Sequence, residues 1–97
     1  MTITQQTEGK TILLFPEGRL DTTAAPELDR VLEGLEPCEK LILDLEKVTY
    51  ISSSGLRVLL SREKAVSQKG PMILRHVPDC VMEVFTITGF SGFLTIE

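Results

Sequence analysis

Three consecutive serines, Ser52, Ser53 and Ser54, stand between an apolar run, residues 40–45, and an amphipathic stretch that opens at Gly55. Serine is favoured at a helix N-cap because its oxygen accepts from an unpaired N–H of the first turn. The spacing therefore puts the serines on a loop that leads into a helix N-terminus. That end of a helix carries partial positive charge and free N–H donors, so it receives an anion well. A phosphoryl group added to a serine there is not repelled by the helix dipole. The chemistry open to this stretch is to accept such a group and change the local charge. The plainer alternative is that the serines only cap the helix, and the stretch by itself leaves both readings open.

Other chemistries lack their residues. A serine hydrolase needs a base beside its nucleophile and a third group that orients the base. The chain has one histidine, His76, and the G-x-S-x-G spacing is missing because Ile51 stands where the first glycine would precede Ser53. The serine stretch lacks the glycines and the lysine of a phosphate-binding P-loop. Cys38 and Cys80 form no CxxC pair and no metal-ligand spacing with His76. The sequence thus predicts no catalytic residues, no cofactor and no metal site. Two cysteines so far apart are read as free thiols of a reducing compartment.

Composition narrows the class further. A chain of 97 residues suits one domain, 1–97, with one core. An apolar share of 42% with 25% charged residues is the profile of a folded globule, not of a disordered tail. Fourteen acids against ten bases give a net charge of −4, without a Lys/Arg cluster or an aromatic stacking platform, which excludes direct nucleic-acid binding as the main task. The N-terminus lacks the charged and apolar regions of a signal peptide, and no apolar run approaches the roughly 20 residues of a membrane span. The expected location is the cytoplasm.

The elements that must position the serines follow from periodicity. Residues 2–7 and Thr11–Phe15 read as a hairpin around Gly9, with Pro16 at an edge or bulge and Gly18 at a bend or close approach. Asp21, Thr22 and Thr23 are placed to cap a helix over 24–35, whose Ala25, Leu28, Val31, Leu32 and Leu35 share a face while Asp29, Arg30 and Glu33 point away. Leu41–Leu45 reads as a buried parallel strand, with Asp44 either capping a neighbouring turn or lying near the serines. Residues 46–50 are read as a lead into the serines. A helix over 55–69 puts Leu56, Leu59, Leu60, Glu63 and Val66 on one side and Arg57 on the solvated side, and is stopped by Gly70-Pro71. A strand at 72–75, a helix at 80–88 capped by Asp79 and closed by Gly89, and a last strand at 93–96 complete the order β-β-α-β-α-β-α-β. In that third helix Val81, Val84, Phe85 and Thr88 are spaced for burial. The order calls for a mixed sheet with helices, and alone it does not decide whether they cover one face or both.

Two blocks of this sequence resemble the STAS domain family, and within it the stand-alone bacterial anti-sigma factor antagonists. Glu17-Gly18-Arg19-Leu20-Asp21 is similar to the family's Gly-x-Leu-Asp segment, and Leu43-Asp44-Leu45 through Ser53-Ser54-Gly55-Leu56 is similar to its strand-loop-helix with Asp-Ser-Ser-Gly-Leu. The resemblance implies an α/β fold, a mixed four- to five-stranded sheet with helices packed mainly on one face. It implies that Ser53 is the residue phosphorylated by a partner kinase, with Ser52 and Ser54 as second choices. It places Asp21, Thr22, Thr23, Ser52, Ser54, Gly55, Leu56, Arg57 and Val58 on the partner surface. The implied function is partner switching: the domain binds an anti-sigma factor that is also a serine kinase, is released when phosphorylated, and is reset by a serine phosphatase. The implied role is that of a kinase substrate, not of an enzyme. The alternative within the family is a non-phosphorylated scaffold or regulatory subunit of a transport-associated complex. Two departures stand out. The family's Asp before the phosphorylated serine is Ser52 here, and the chain ends where many relatives continue into another helix, so a surface is expected to be open and the protein is expected to be a monomer or a weak dimer.

Overall fold

The computed structural model describes residues 1–35, 38–66 and 72–97. Strand β1, Thr2–Glu8, turns at Gly9 (φ 62°) into β2, Thr11–Leu20, and the two pair antiparallel. Strand β2 is the spine of the sheet. Along Thr11–Leu14 it pairs parallel with β3, Lys40–Asp44, and along Gly18–Leu20 it pairs parallel with β4, Val48–Ile51. Strand β5, Met72–Arg75, lies parallel on the far side of β3. Pro16 falls between the stretch of β2 paired with β3 and the stretch paired with β4, where a missing N–H costs least. Gly18 holds φ 108°, open to glycine and not to L side chains, and its N–H reaches Lys47 O at 3.0 Å.

Alternate residues of the strands supply one face of the core. Ile12, Leu14, Leu20, Leu41, Leu43, Met72 and Leu74 form a single buried cluster with Leu28 and Leu32 of helix α1, Ala25–Glu33, with Leu56 and Leu59 of α2, Ser53–Val66, and with Val81 and Phe85 of α3, Asp79–Thr88. The helices therefore cover one face, and the fold is the expected mixed α/β arrangement. The α1 and α2 faces are joined at their edge by Arg62, whose Nε donates to Asp29 Oδ1 at 2.8 Å. That bond, more than any other influence, holds the Arg62 guanidinium above its already high ordinary pKa. Asp29 thus does not simply face away; it closes the seam between the two helices.

Several local expectations are corrected. Residues 48–51 are a strand, not a lead-in. Their burial runs buried, exposed, exposed, buried because Thr49 is an extra residue: Gly18 pairs with Val48 and Arg19 with Tyr50. A bulge of this kind erases the alternation by which a strand is recognised. Asp79 is the first residue of α3 rather than its cap; Pro78, extended at φ −64° and ψ 154°, holds the cap position. Gly89 does close α3, at φ 77°. Thr88 is exposed and donates its hydroxyl to Val84 O at 2.7 Å, and Val84 is half-buried. The last strand is reduced to one parallel bridge, Leu74 to Ile96, because Phe90–Phe93 form a tight turn with a 3-10 segment, Ser91–Phe93, and the two rings meet edge-to-face. Gly70-Pro71, read as a helix stop, lies outside the described residues.

Candidate functional site

Parallel neighbours place their following loops side by side, and that rule builds the site here. Leu20 pairs with Ile51, and the Ser52 N–H continues the pairing by donating to Leu20 O at 2.9 Å. The Asp21 and Ser52 segments therefore leave the carboxyl ends of adjacent strands together, the place where parallel α/β sheets present their loops.

Each segment is held by its own caps. Asp21 Oδ1 accepts from the N–H groups of Thr23 at 3.1 Å and Ala24 at 2.9 Å, a turn that satisfies the backbone just before α1. Thr22 and Thr23 are exposed at its tip. Ser52 is the N-cap of α2: its Oγ accepts from Gly55 N–H at 3.2 Å and its carbonyl accepts from Leu56 N–H at 2.9 Å. The helix thus starts two residues earlier than its periodicity suggests. Ser53 and Ser54 occupy its first turn instead of the preceding loop, with Ser53 exposed and Ser54 half-buried.

Gly55 is the contact that sets this geometry. A Cβ on it would lie 2.7 Å from Leu20 Cγ, 2.8 Å from Leu20 O and 3.1 Å from Ile51 Cγ1. Only glycine lets the start of α2 approach the ends of β2 and β4 this closely. Leu56 then turns into the core, so it anchors the helix and offers no surface to a partner; Gly55 is buried with it. Arg57 is exposed and Val58 half-buried on the flank. Of the residues expected on a partner surface, the structure gathers Asp21, Thr22, Thr23, Ser52, Ser54, Arg57 and Val58 at one end of the sheet and takes Gly55 and Leu56 inward.

One exposed pair at this end escaped the sequence reading. The Arg19 guanidinium stacks 4.2 Å from the centre of the Tyr50 ring, the two side chains standing opposite each other on β2 and β4. Recognising strand β4 would have revealed them, since residue 50 then faces residue 19.

His76 and Asp44 belong elsewhere. His76 Nδ1 lies 2.9 Å from Asp44 Oδ2, and Asp44 Oδ1 accepts from Glu46 N–H at 3.0 Å. Asp44 thus caps its neighbouring turn, the plainer of its two readings. The whole of β4, a span of about 13 Å for four residues at strand rise, separates this corner from Ser52. His76, the single histidine of the sequence, is thus engaged with Asp44 and not with the serines. Donor atoms of Asp44, Glu46 and His76 all lie within 4.8 Å of one another, a grouping that no spacing along the sequence suggested. Their separation in sequence hid them.

The STAS domain profile matches residues 2–97. The chain belongs to the STAS domain family. An anti-sigma-B factor antagonist of Listeria monocytogenes is 31% identical over 87% of this chain and 76% of its own length. Among solved structures, an anti-sigma factor antagonist from Mycobacterium paratuberculosis superposes with a TM-score of 0.89 at 16% identity, covering 98% of this chain and 83% of that one. The Bacillus cell fate determinant SpoIIAA in its phosphorylated form superposes at 0.71 and 18% identity, covering 99% and 91%. These likenesses establish the STAS fold for the geometry described above.

Proposed function

We propose that this STAS domain is an anti-sigma factor antagonist, a cytoplasmic regulator and not an enzyme, that works by partner switching at the Asp21–Thr23 and Ser52–Val58 end of the sheet. The observation that carries the reading is the division of labour among the serines. Ser52 spends its hydroxyl on the cap, Ser54 is half-buried, and Ser53 stands exposed in the first turn of α2. Ser53 is thus the acceptor. The 31% identical Listeria relative, named as an antagonist, supports the role.

In the unmodified state the exposed end docks an anti-sigma factor that is also a serine kinase. The kinase transfers the γ-phosphoryl group of ATP to Ser53 Oγ; the hydroxyl loses its proton and ADP leaves. The phosphate adds a charge of about −1.5 to −2. Inside the fold that charge is welcome, because it sits at the amino end of α2. Across the interface it repels acidic groups and must be desolvated, so the complex separates. A serine phosphatase hydrolyses the ester and resets the domain.

The test is calorimetric binding of the cognate anti-sigma factor to the wild type, Ser53→Ala and Ser53→Asp. Ser53→Ala should bind like the wild type, and Ser53→Asp at least about tenfold more weakly, a difference of about 1.4 kcal/mol. Equal affinities for the two variants would end the charge-switch reading. Peptide mass spectrometry of protein from its own cells assigns the acceptor, and phosphate on Ser54 alone would move it.

A further inference from the structure

We propose that Asp44, Glu46 and His76 form a site for one divalent transition-metal cation of the zinc or cobalt kind, at the carboxyl ends of β3 and β5 and separated from the serines by the length of β4. Glu46 lies in the turn between β3 and β4, His76 directly follows β5, and Asp44 ends β3 between them. His76 Nδ1 is 2.9 Å from Asp44 Oδ2 and 3.7 Å from Glu46 Oε2. Donors bound about 2.1 Å from one ion are separated by roughly 3.0–3.4 Å in octahedral or tetrahedral arrangement. Asp44 and His76, at 2.9 Å, stand close to that spacing, and the exposed Glu46 side chain has freedom to close the remainder.

The corner is prepared in ways that a chance meeting of surface acids is not. Asp44 is more than nine-tenths buried, and Glu46 N–H holds its Oδ1, which turns Oδ2 toward the imidazole. Such outer hydrogen bonds orient metal ligands. The two turns are tied by the backbone as well, Leu45 N–H donating to Arg75 O at 2.9 Å. The nearby cations are engaged elsewhere: Arg75 with Glu97 at 3.3 Å and Lys47 with Glu17 at 3.1 Å. With the imidazole neutral, as a metal ligand must be, the three side chains carry two negative charges that these cations do not balance.

The donor set selects the ion. Calcium and magnesium take oxygen ligands, calcium six to eight of them, whereas an imidazole nitrogen with carboxylates suits zinc, cobalt or nickel. Asp44 and Glu46 also line a cavity of about 390 Å³ on the open face of the sheet, with Thr4, Gln6 and Phe15 on its other walls. It gives water, or a second ligand, access to the remaining positions. A bound cation would pin the β3–β4 and β5–α3 turns together without touching the serine end.

The site is tested on the full chain with zinc alone as the probe. His76 is the only histidine, so its ring resonances report unambiguously on that residue. Zinc should shift them saturably at one equivalent, with matching calorimetric binding. His76 has φ 53°, a conformation asparagine tolerates better than alanine, so His76→Asn is the ligand deletion with the smallest risk to folding. His76→Asn and Glu46→Gln should each weaken binding by at least about tenfold. Cys80→Ser, which removes the exposed thiol, should leave affinity unchanged. Ring resonances that do not respond, zinc affinity unaltered in His76→Asn and Glu46→Gln, or binding lost in Cys80→Ser would each overturn the proposal.

Discussion

Two regions of this sheet, the carboxyl ends of β2 and β4 and the carboxyl ends of β3 and β5, are built on different physics. At the serine end, the chain relies on shape: Gly55 lets a helix start press against Leu20, and backbone caps from Ser52 and Asp21 satisfy the exposed N–H groups. At the Asp44 corner it relies on charge: a nearly buried carboxylate is held by one N–H and one imidazole. The difference teaches what each end tolerates. A surface that depends on close backbone contact has little room for an added methyl group, yet accepts a change of charge at an exposed hydroxyl. A corner that depends on a buried acid is the reverse. Such a division suits a domain whose proposed switch is a gain of charge, because the added phosphate need not disturb the contacts that hold the helix.

The largest expected effect attacks the shape side. Gly55→Val adds a branched side chain where even a Cβ would lie 2.7–2.8 Å from Leu20 atoms, one of them a backbone oxygen. The carbonyl cannot yield without displacing β2. Overpacking of this kind should cost about 3 kcal/mol, read by urea denaturation. A loss under about 1 kcal/mol would mean that α2 can shift outward, and the shape argument would be lost.

Next comes the charge side. Asp44→Ala leaves Glu46 N–H and the His76 ring without their acceptor, at an expected cost of about 2 kcal/mol. Asp44→Asn keeps an acceptor for Glu46 N–H at nearly equal volume and should cost less than half as much. If the two variants were equally destabilised, the negative charge and not the hydrogen bonds would be the important term.

These contrasts explain what could be read from the chain in advance. Consecutive residues betray a helix start, so the serine stretch, the capping segment at Asp21 and the buried faces carrying Leu28, Leu32, Leu59, Val81 and Phe85 are visible as patterns. The family's motifs then gave Ser53 its candidate role. Strand β4 was not visible, because the Thr49 bulge breaks its alternation, and with it went the Arg19–Tyr50 pair. Leu56 was placed both in the core and on the partner surface; its burial shows that a motif position can serve packing alone. The Asp44–His76 contact joins residues 32 apart in sequence, with no spacing rule to announce it. Patterns along a chain report local structure, and contacts across strand ends need the sheet order first.

A smaller effect separates capping from modification. Ser52→Ala removes the oxygen that accepts from Gly55 N–H and should cost about 1 kcal/mol. Ser52→Asp restores a cap of equal quality and adds a charge that the helix dipole favours, so its stability should stay within about 0.5 kcal/mol of the wild type. This places the acid that the family carries before its phosphorylated serine into the present fold. If Ser52→Asp proved as unstable as Ser52→Ala, the hydroxyl would have a role beyond capping.

The smallest expected effect probes whether the serine end also uses side-chain charge. Arg19 stacks on Tyr50 at an exposed position, where a cation–π contact is worth about 0.5 kcal/mol. Arg19→Ala should lower stability by about that amount in thermal unfolding. Arg19→Lys keeps the positive charge but loses the planar face that lies on the ring, so it should recover only part of the loss. Equal loss in both variants would assign the contact to planar stacking, and full recovery by lysine would assign it to charge. A cost above about 1.5 kcal/mol would show that the β2–β4 end depends on this pair as heavily as the other corner depends on Asp44. The division between a shape-built end and a charge-built corner would then no longer hold.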